Sequence, residues 1–216
     1  FQAIIGSRIR GDKGQFFTPK ELVECMVRII KITSNSVIID PACGTGGFLT
    51  EAYKYAKESE YIDENSIRLI GIDKDRDMAD MALETTEIIS QGNSVVFNRN
   101  SLEILSDKSD LNNLLECADR ILTNPPFGTK IGITDDSLLR MYEFGYNWSY
   151  SEKEKTWYKL NTLVKSQAPQ VLFLELCVRL LKLGGKMAIV LPEGIFGNKS
   201  LGYIWAYLKK HGRVLA

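Results

Sequence analysis

The sequence predicts an α/β fold, one mostly parallel sheet with helices on both faces. Two observations carry this. Short, nearly continuous apolar runs recur at 36–40, 67–73, 94–97, 119–123 and 186–192, the pattern of strands buried on both sides. Stretches with apolar residues at helical spacing separate them. Apolar strands alternating with amphipathic helices build a parallel sheet through right-handed crossovers. In such sheets ligands bind beyond the carboxyl ends of the strands.

Residues 1–14 are a lead-in, rich in glycine and charge from Gly6 onward. Thr18, Pro19 and Glu21 fit a capping box, with Pro19 at the first helical position. Leu22, Val23, Met26, Val27 and Ile30 then form a helical stripe. "SVIID" (36–40) is a strand and Gly46 to Lys57 a helix. "IRLIGID" (67–73) is a strand and Asp75 to Ile89 a helix. "SVVF" (94–97) is a strand, followed by a short helix over Leu111 to Cys117 and a strand from Asp119 to Thr123. Residues 169–185 read as a helix ended by glycines, "KMAIVLP" as a strand and "SLGYIWAYLKKHG" as a last helix. His211, Lys209 and Lys210 complement that helix's carboxyl end. Met26, Met78, Met81 and Met187 read as core. Residues 128–167 break the rhythm. Connections this long are functional loops or disordered. The aromatics here (Tyr142, Phe144, Tyr146, Trp148, Tyr150, Trp157, Tyr158) suit stacking on extruded nucleotides and local packing equally.

Lys plus Arg and Asp plus Glu are 27 each, so net charge draws the chain to neither nucleic acid nor membrane. A polyanion would have to be gripped by partner segments or a local patch. The four cysteines include no CxxC pair, which argues against a zinc site and a disulfide framework and for a reducing compartment. The single histidine leaves little room for His-based catalysis. No metal site is expected. No apolar run reaches spanning length, so the expected location is cytoplasmic. The chain opens on Phe1 and closes on what reads as a strand beginning near Val214, the expectation for a piece of a longer protein.

Three constellations carry chemistry. In "DPACGTGGFL" (40–49), Gly44, Gly46 and Gly47 let the backbone turn tightly and approach a ligand, and the helix beginning there offers unpaired amides. Asp40 closes the strand, placed to hold a cationic or amine group. A βα turn that needs glycine only for packing explains the same residues. Asp73 closes the next strand, where nucleotide-binding sheets place a carboxylate for ribose hydroxyls. The plainer alternative makes it an N-cap. Asn124-Pro125-Pro126-Phe127 ends the fourth strand. Two prolines remove two donors and stiffen the corner. The Asn124 carbonyl and a backbone carbonyl then offer two acceptors to an –NH2 group, and Phe127 can stack on a planar ring. Accepting both protons draws the nitrogen toward a tetrahedral geometry, which frees a lone pair otherwise delocalised. The start of the helix at "GQFFTPKE" (14–21) suits a carboxylate or simple capping equally well.

"GQFFTP", "DPACGTGGFL", "GID", "NPPF" and "GGKMAIVLPEGIF" in this order resemble the modification subunit of Type I restriction–modification systems, a family of DNA adenine-N6 methyltransferases. The match runs from Gly14 to Phe196. The resemblance implies the class-I, Rossmann-like, S-adenosylmethionine-dependent fold, C-terminally truncated in this chain, with 1–216 a catalytic core. It implies that Gln15, Phe16, Phe17, Thr18, Pro19 and Lys20, with Cys43, Gly44, Thr45, Gly46 and Gly47, embrace the methionine moiety of the cofactor, and that Asp40 and Ala42 also belong to the cofactor site. Asp73, beside Lys74, would take the ribose hydroxyls. Asn124, Pro125, Pro126 and Phe127 would hold a flipped-out adenine. The family often has an acidic residue after the third strand. Asn100 and Ser101 stand in its place, and an amide can still accept from the cofactor's adenine amine. The implied partners are double-stranded DNA, a separate specificity subunit and a restriction nuclease subunit. Two other readings stay open: an N-methyltransferase acting on protein glutamine or RNA, and a non-catalytic cofactor-binding scaffold.

Overall fold

A computed structural model describes residues 18–126 and 132–214. The expectations for residues 1–14, Gln15, Phe16, Phe17 and Phe127 lie outside them. In chain order the elements are α1 (Lys20–Ile30), β1 (Val37–Asp40), α2 (Gly47–Lys57), β2 (Arg68–Asp73), α3 (Arg76–Ser90), β3 (Ser94–Asn98), β4 (Ala118–Thr123), α4 (Asp136–Leu139), β5 (Tyr146–Ser151), β6 (Thr156–Leu163), α5 (Pro169–Leu180), β7 (Leu181–Ile189), α6 (Gly194–Gly197) and α7 (Gly202–His211). Five strands form a parallel sheet in the order β3-β2-β1-β4-β7. The order reverses between β1 and β4, so the strand ends there open the crevice in which such sheets bind ligands.

Strand alternation sorts the core. Ile38, Leu69 and Leu122 pack with α1 and α2, and Ala82 of α3 joins the same cluster. Ile39, Ile70, Ile72 and Ile121 face the other way, onto α5 and α7. Ile38 and Ile39 are fully buried, each contributing about 1.5–3 kcal/mol by leaving water. Arg120 of β4 ties α1 to the sheet. Its Nε and Nη2 donate to the Lys31 carbonyl at 2.9 and 2.7 Å, just where α1 ends with Lys31 in the left-handed region.

The sequence boundaries shift in three places. The capping box does not form: Pro19 itself is the N-cap of α1, because its carbonyl already accepts from Leu22 and Val23. The short helix over 111–117 reduces to a 3-10 turn at Asn112–Leu114. The helix at 169 stops at Leu180, and the glycines lie inside β7. Between the Ala118–Leu181 and Arg120–Lys186 pairs the β7 side carries extra residues. Gly184 bulges there at φ +80, and a Cβ on Gly185 would stand 2.7 Å from the Ala118 carbonyl. The helical stripe thus runs on into residues that the sheet claims. Met81, expected in the core, is 49% exposed on the outer side of α3. Residues 212–214 carry no regular element, and the strand expected to begin near Val214 runs into residues outside those described.

The long connection is not a structureless loop. Ile133 and Gln167 close its neck by mutual backbone hydrogen bonds of 2.7 and 2.9 Å. Beyond the neck β5 and β6 pair as an antiparallel hairpin. Of its aromatics, Tyr142 and Phe144 are buried, and Trp148 stacks on Tyr203 of α7 at 5.6 Å. Trp157 packs so close to Gly202 that a Cβ there would meet its Nε1 at 2.8 Å. Local packing therefore accounts for these four, while Tyr150 and Tyr158 keep 40% and 46% exposure. Glu175 of α5 anchors the segment. Its carboxylate is fully buried and accepts from the Glu143 and Phe144 amides at 2.9 and 2.8 Å and from Arg179 Nε and Nη2 at 3.0 and 2.7 Å.

Candidate active site

Register brings the sequence-predicted polar ends together. Asp40 lies level with Gly71 on β2 and, one step past the Ile39–Ile121 pair, with Leu122 on β4. Asp73 and Asn124 each project two residues further. Neighbouring strands stand ~4.8 Å apart, so the two flank a recessed Asp40 across a gap of roughly 10 Å. Residues two apart share a face. Ile38, Leu69 and Leu122 face α1 and α2, the side on which Asn124 reaches Thr18 before α1 and Asp73 reaches the Gly44 amide before α2. Asp40 instead bears on Thr123 and on Cys177 of α5.

The glycine turn divides into two functions. Gly46, at φ +83, packs against α3, where an added Cβ would meet Ala82 and Thr86 at 3.3 Å. That is the packing role. Added Cβ atoms on Gly44 and Gly47 would meet nothing within 4 Å, so these two face open space, as a ligand cradle requires. Gly46 is also the N-cap of α2 and brings no side-chain bond, leaving the first amides of that helix to bind a ligand. Thr45 and Ala42 are half-buried beside it, while Cys43 is buried and its amide donates to the Ile72 carbonyl at 3.1 Å. Burial raises the Cys43 thiol far above its ordinary range, so it is an inert wall rather than a nucleophile.

Asp73 is not the helix cap. Asp75 takes that place, accepting from the Asp77 and Met78 amides. Asp73 instead spans the site: Oδ2 accepts from the Gly44 amide at 2.9 Å and Oδ1 from the Asp75 amide at 2.9 Å. Each oxygen keeps a second lone pair. Lys74 beside it is exposed. After β3, Asn100 is used at both ends, accepting from Leu102 N at 3.3 Å and donating to Glu103 Oε1 at 2.8 Å. Ser101 is buried and donates to the Pro41 carbonyl at 2.5 Å. These two fix the loop against the end of β1. A cleft of about 180 Å3 borders Arg99, Asn100 and Glu103, but neither the glycine turn nor the Asn124 corner lines it.

Two acceptors at the centre are unsatisfied. Asp40 is 1% exposed. Its Oδ1 accepts from the Ala42 amide at 3.0 Å, but Oδ2 has no hydrogen-bond partner among the described residues. The Thr123 hydroxyl lies near enough to favour the charged form slightly, yet it too falls outside hydrogen-bond geometry. Burial dominates and pushes the Asp40 carboxyl up to about 7. The second orphan among the described residues is Asn124 Oδ1. The amide nitrogen is engaged, donating to Thr18 Oγ1 at 3.0 Å, so the oxygen is the atom left to accept. Pro125 behind it is buried and Pro126 is exposed. An unpaired buried acceptor costs about 1–3 kcal/mol, and functional sites are where such costs persist. The bond from Asn124 to Thr18 was not legible in the sequence, where Thr18 stands as a cap.

A family model described as N-6 DNA Methylase matches residues 6–209. The chain belongs to this family. The methylase subunit of the Type I restriction enzyme EcoEI of Escherichia coli is 29% identical over 198 residues, covering 87% of this chain and 34% of that protein. A modification subunit of a putative type I restriction enzyme from Vibrio vulnificus YJ016 superposes with a TM-score of 0.64 at 25% identity, over 92% of this chain and 39% of the other. A putative class I S-adenosylmethionine-dependent methyltransferase from Listeria monocytogenes gives a TM-score of 0.66 at 21% identity, over 90% of this chain and 52% of the other. That last likeness concerns the fold alone. The family resemblance and the class-I methyltransferase fold expected from the motifs both stand. The chain spans about a third of the length of the curated relatives it matches along most of its own. Among the described residues, no group of three or more His, Cys, Asp or Glu is placed to hold a metal, and no helix is long and apolar enough to cross a membrane.

Proposed function

We propose that this chain is the catalytic core of a site-specific DNA adenine-N6 methyltransferase that uses S-adenosylmethionine and acts as the modification subunit of a restriction–modification system. The observation that carries the reading is Asn124: its nitrogen is tied to Thr18 and its buried oxygen has no partner among the described residues, at the start of a donor-poor proline corner.

The residues fit the cofactor. Gly44 and Gly47 leave room for it, and the uncapped start of α2 supports it. Spare lone pairs on Asp73 suit ribose hydroxyls. The orphaned Asp40 oxygen suits a cationic or amine group. When bound, S-adenosylmethionine supplies an electrophilic methyl on a sulfonium: the new N–C bond forms as the C–S bond breaks, and sulfur keeps that pair as a neutral thioether. The protein's part is to hold, aim and dry the reactants. A target adenine must leave the duplex, at a cost of about a few kcal/mol. Asn124 Oδ1 and a carbonyl of the proline corner accept the two amine hydrogens, which directs the nitrogen lone pair toward the methyl. Positioning of this kind supplies much of the rate. The surplus proton passes to water after attack.

Balanced charge gives the chain no strong grip on DNA by itself. A specificity subunit is therefore assigned the sequence reading and much of the duplex contact, and a nuclease subunit completes the system. The test is transfer of labelled methyl by the full-length protein, with its partner subunits, to duplex DNA, RNA and a glutamine-bearing protein. Label recovered as N6-methyladenine in duplex DNA is expected. Label confined to RNA or protein overturns the substrate assignment. Heat of cofactor binding with no transfer in the complete assembly would instead favour a scaffold.

A further inference from the structure

An amide side chain has two ends of similar shape and opposite polarity. Turned one way, Asn124 offers an acceptor to an incoming amine; turned the other, it offers a competing donor. The proline corner fixes the backbone but not this choice. Thr18 Oγ1, 3.0 Å from Asn124 Nδ2, is the described group that engages the amide. Threonine ordinarily serves a helix from the N-cap itself, and Thr18 stands one residue before that of α1. Here Pro19 has taken the cap, so the hydroxyl is released to act across the site, 106 residues away in sequence.

We propose that Thr18 is the positioning residue for the target base: by accepting from Asn124 Nδ2 it holds the amide with Oδ1 toward the incoming amine. This rests on the function proposed above and adds a specificity to it.

The test separates aim from binding. In the full-length protein with its partner subunits, Thr18→Val keeps the shape and removes the hydroxyl. Single-turnover transfer at saturating cofactor is expected to fall about tenfold, the worth of one hydrogen bond in a buried site. The cofactor Kd, measured by calorimetry, is expected to move less than about threefold, which corresponds to under ~0.7 kcal/mol. Thr18→Ser, which restores the oxygen, recovers most of the rate. In an Asn124→Asp background the two carboxylate oxygens are equivalent acceptors, so the Val change there costs less than about twofold. An unchanged rate in Thr18→Val overturns the proposal, as does a rate loss that tracks cofactor release, or an equal loss in both backgrounds. Absence of adenine methylation by the unaltered protein would count against the function itself.

Discussion

Two buried carboxylates, Asp40 and Glu175, are almost equally hidden, at 1% and 0% exposure, and they do opposite things. Glu175 is met by two backbone amides and by a guanidinium that forks onto one oxygen. Asp40 receives a single amide and leaves an oxygen unpaired. Burial raises both carboxyls, but around Glu175 four hydrogen bonds and the Arg179 charge work against it. At Asp40 the rise is to about 7. Burial alone therefore does not mark a site. A buried charge whose partners are complete holds structure, here the join between α5 and the segment beyond the neck. One with a vacant lone pair, at the carboxyl ends of the strands, is placed to meet a ligand.

The comparison can be broken in four ways. The largest effect belongs to Asn124→Ala, expected to slow methyl transfer by at least roughly 10³-fold while the cofactor Kd moves less than about threefold. Single-turnover kinetics with parallel calorimetry would check it, and a matching loss of cofactor binding would strip Asn124 of its role as the acceptor for the target amine. Glu175→Gln should come next. Every partner of Glu175 is a donor, so an amide nitrogen there faces an N–H, and the loss should be about 3 kcal/mol of stability in denaturant titration. A variant as stable as the parent would end the contrast with Asp40.

Asp73→Ala is expected to weaken cofactor binding roughly tenfold to hundredfold through loss of hydrogen bonds to a charged acceptor, with transfer at saturating cofactor much less affected. It also frees the Gly44 amide, so a small drop in melting temperature should accompany it. The smallest effect is the pH dependence of Asp40. Between its ordinary value of 3.8 and about 7, the folded protein holds a proton that the unfolded chain has released. Stability therefore falls as pH rises through that window, and the fall is complete above it. Asp40→Asn abolishes the dependence. Its stability in denaturant titration should match the parent near pH 4, where the protonated carboxyl and the amide each carry a donor, and exceed it above pH 7. A cationic cofactor group at Asp40 adds a corollary: affinity for S-adenosylmethionine should rise from pH 6 to pH 8 in the parent and stay flat in the variant.

Much of the sheet was legible because strand runs such as "VIID" and "RLIGID" are apolar between their ends, and a parallel sheet covered on both faces buries them. The polar ends Asp40, Asp73 and Asn124 were legible because they stop those runs. What the sequence concealed depends on contacts distant along the chain. Thr18 satisfies a local capping pattern, and only the partner across the fold reveals another use. The helical period of α5 runs on through Leu181, but pairing with Ala118 decides where the helix ends. The aromatics at 142–158 look like a binding surface until Tyr203 and Tyr207, far along the chain, are seen to pack on them.

The neck at Ile133 and Gln167 has a consequence for how such a chain can change. Because Ile133 and Gln167 exchange two backbone bonds, the residue from which the excursion departs is held against the start of α5. The hairpin beyond it is held on α7 by Trp148 and Trp157. Its exposed turn, residues 152–155, can be lengthened or trimmed while that packing keeps its place.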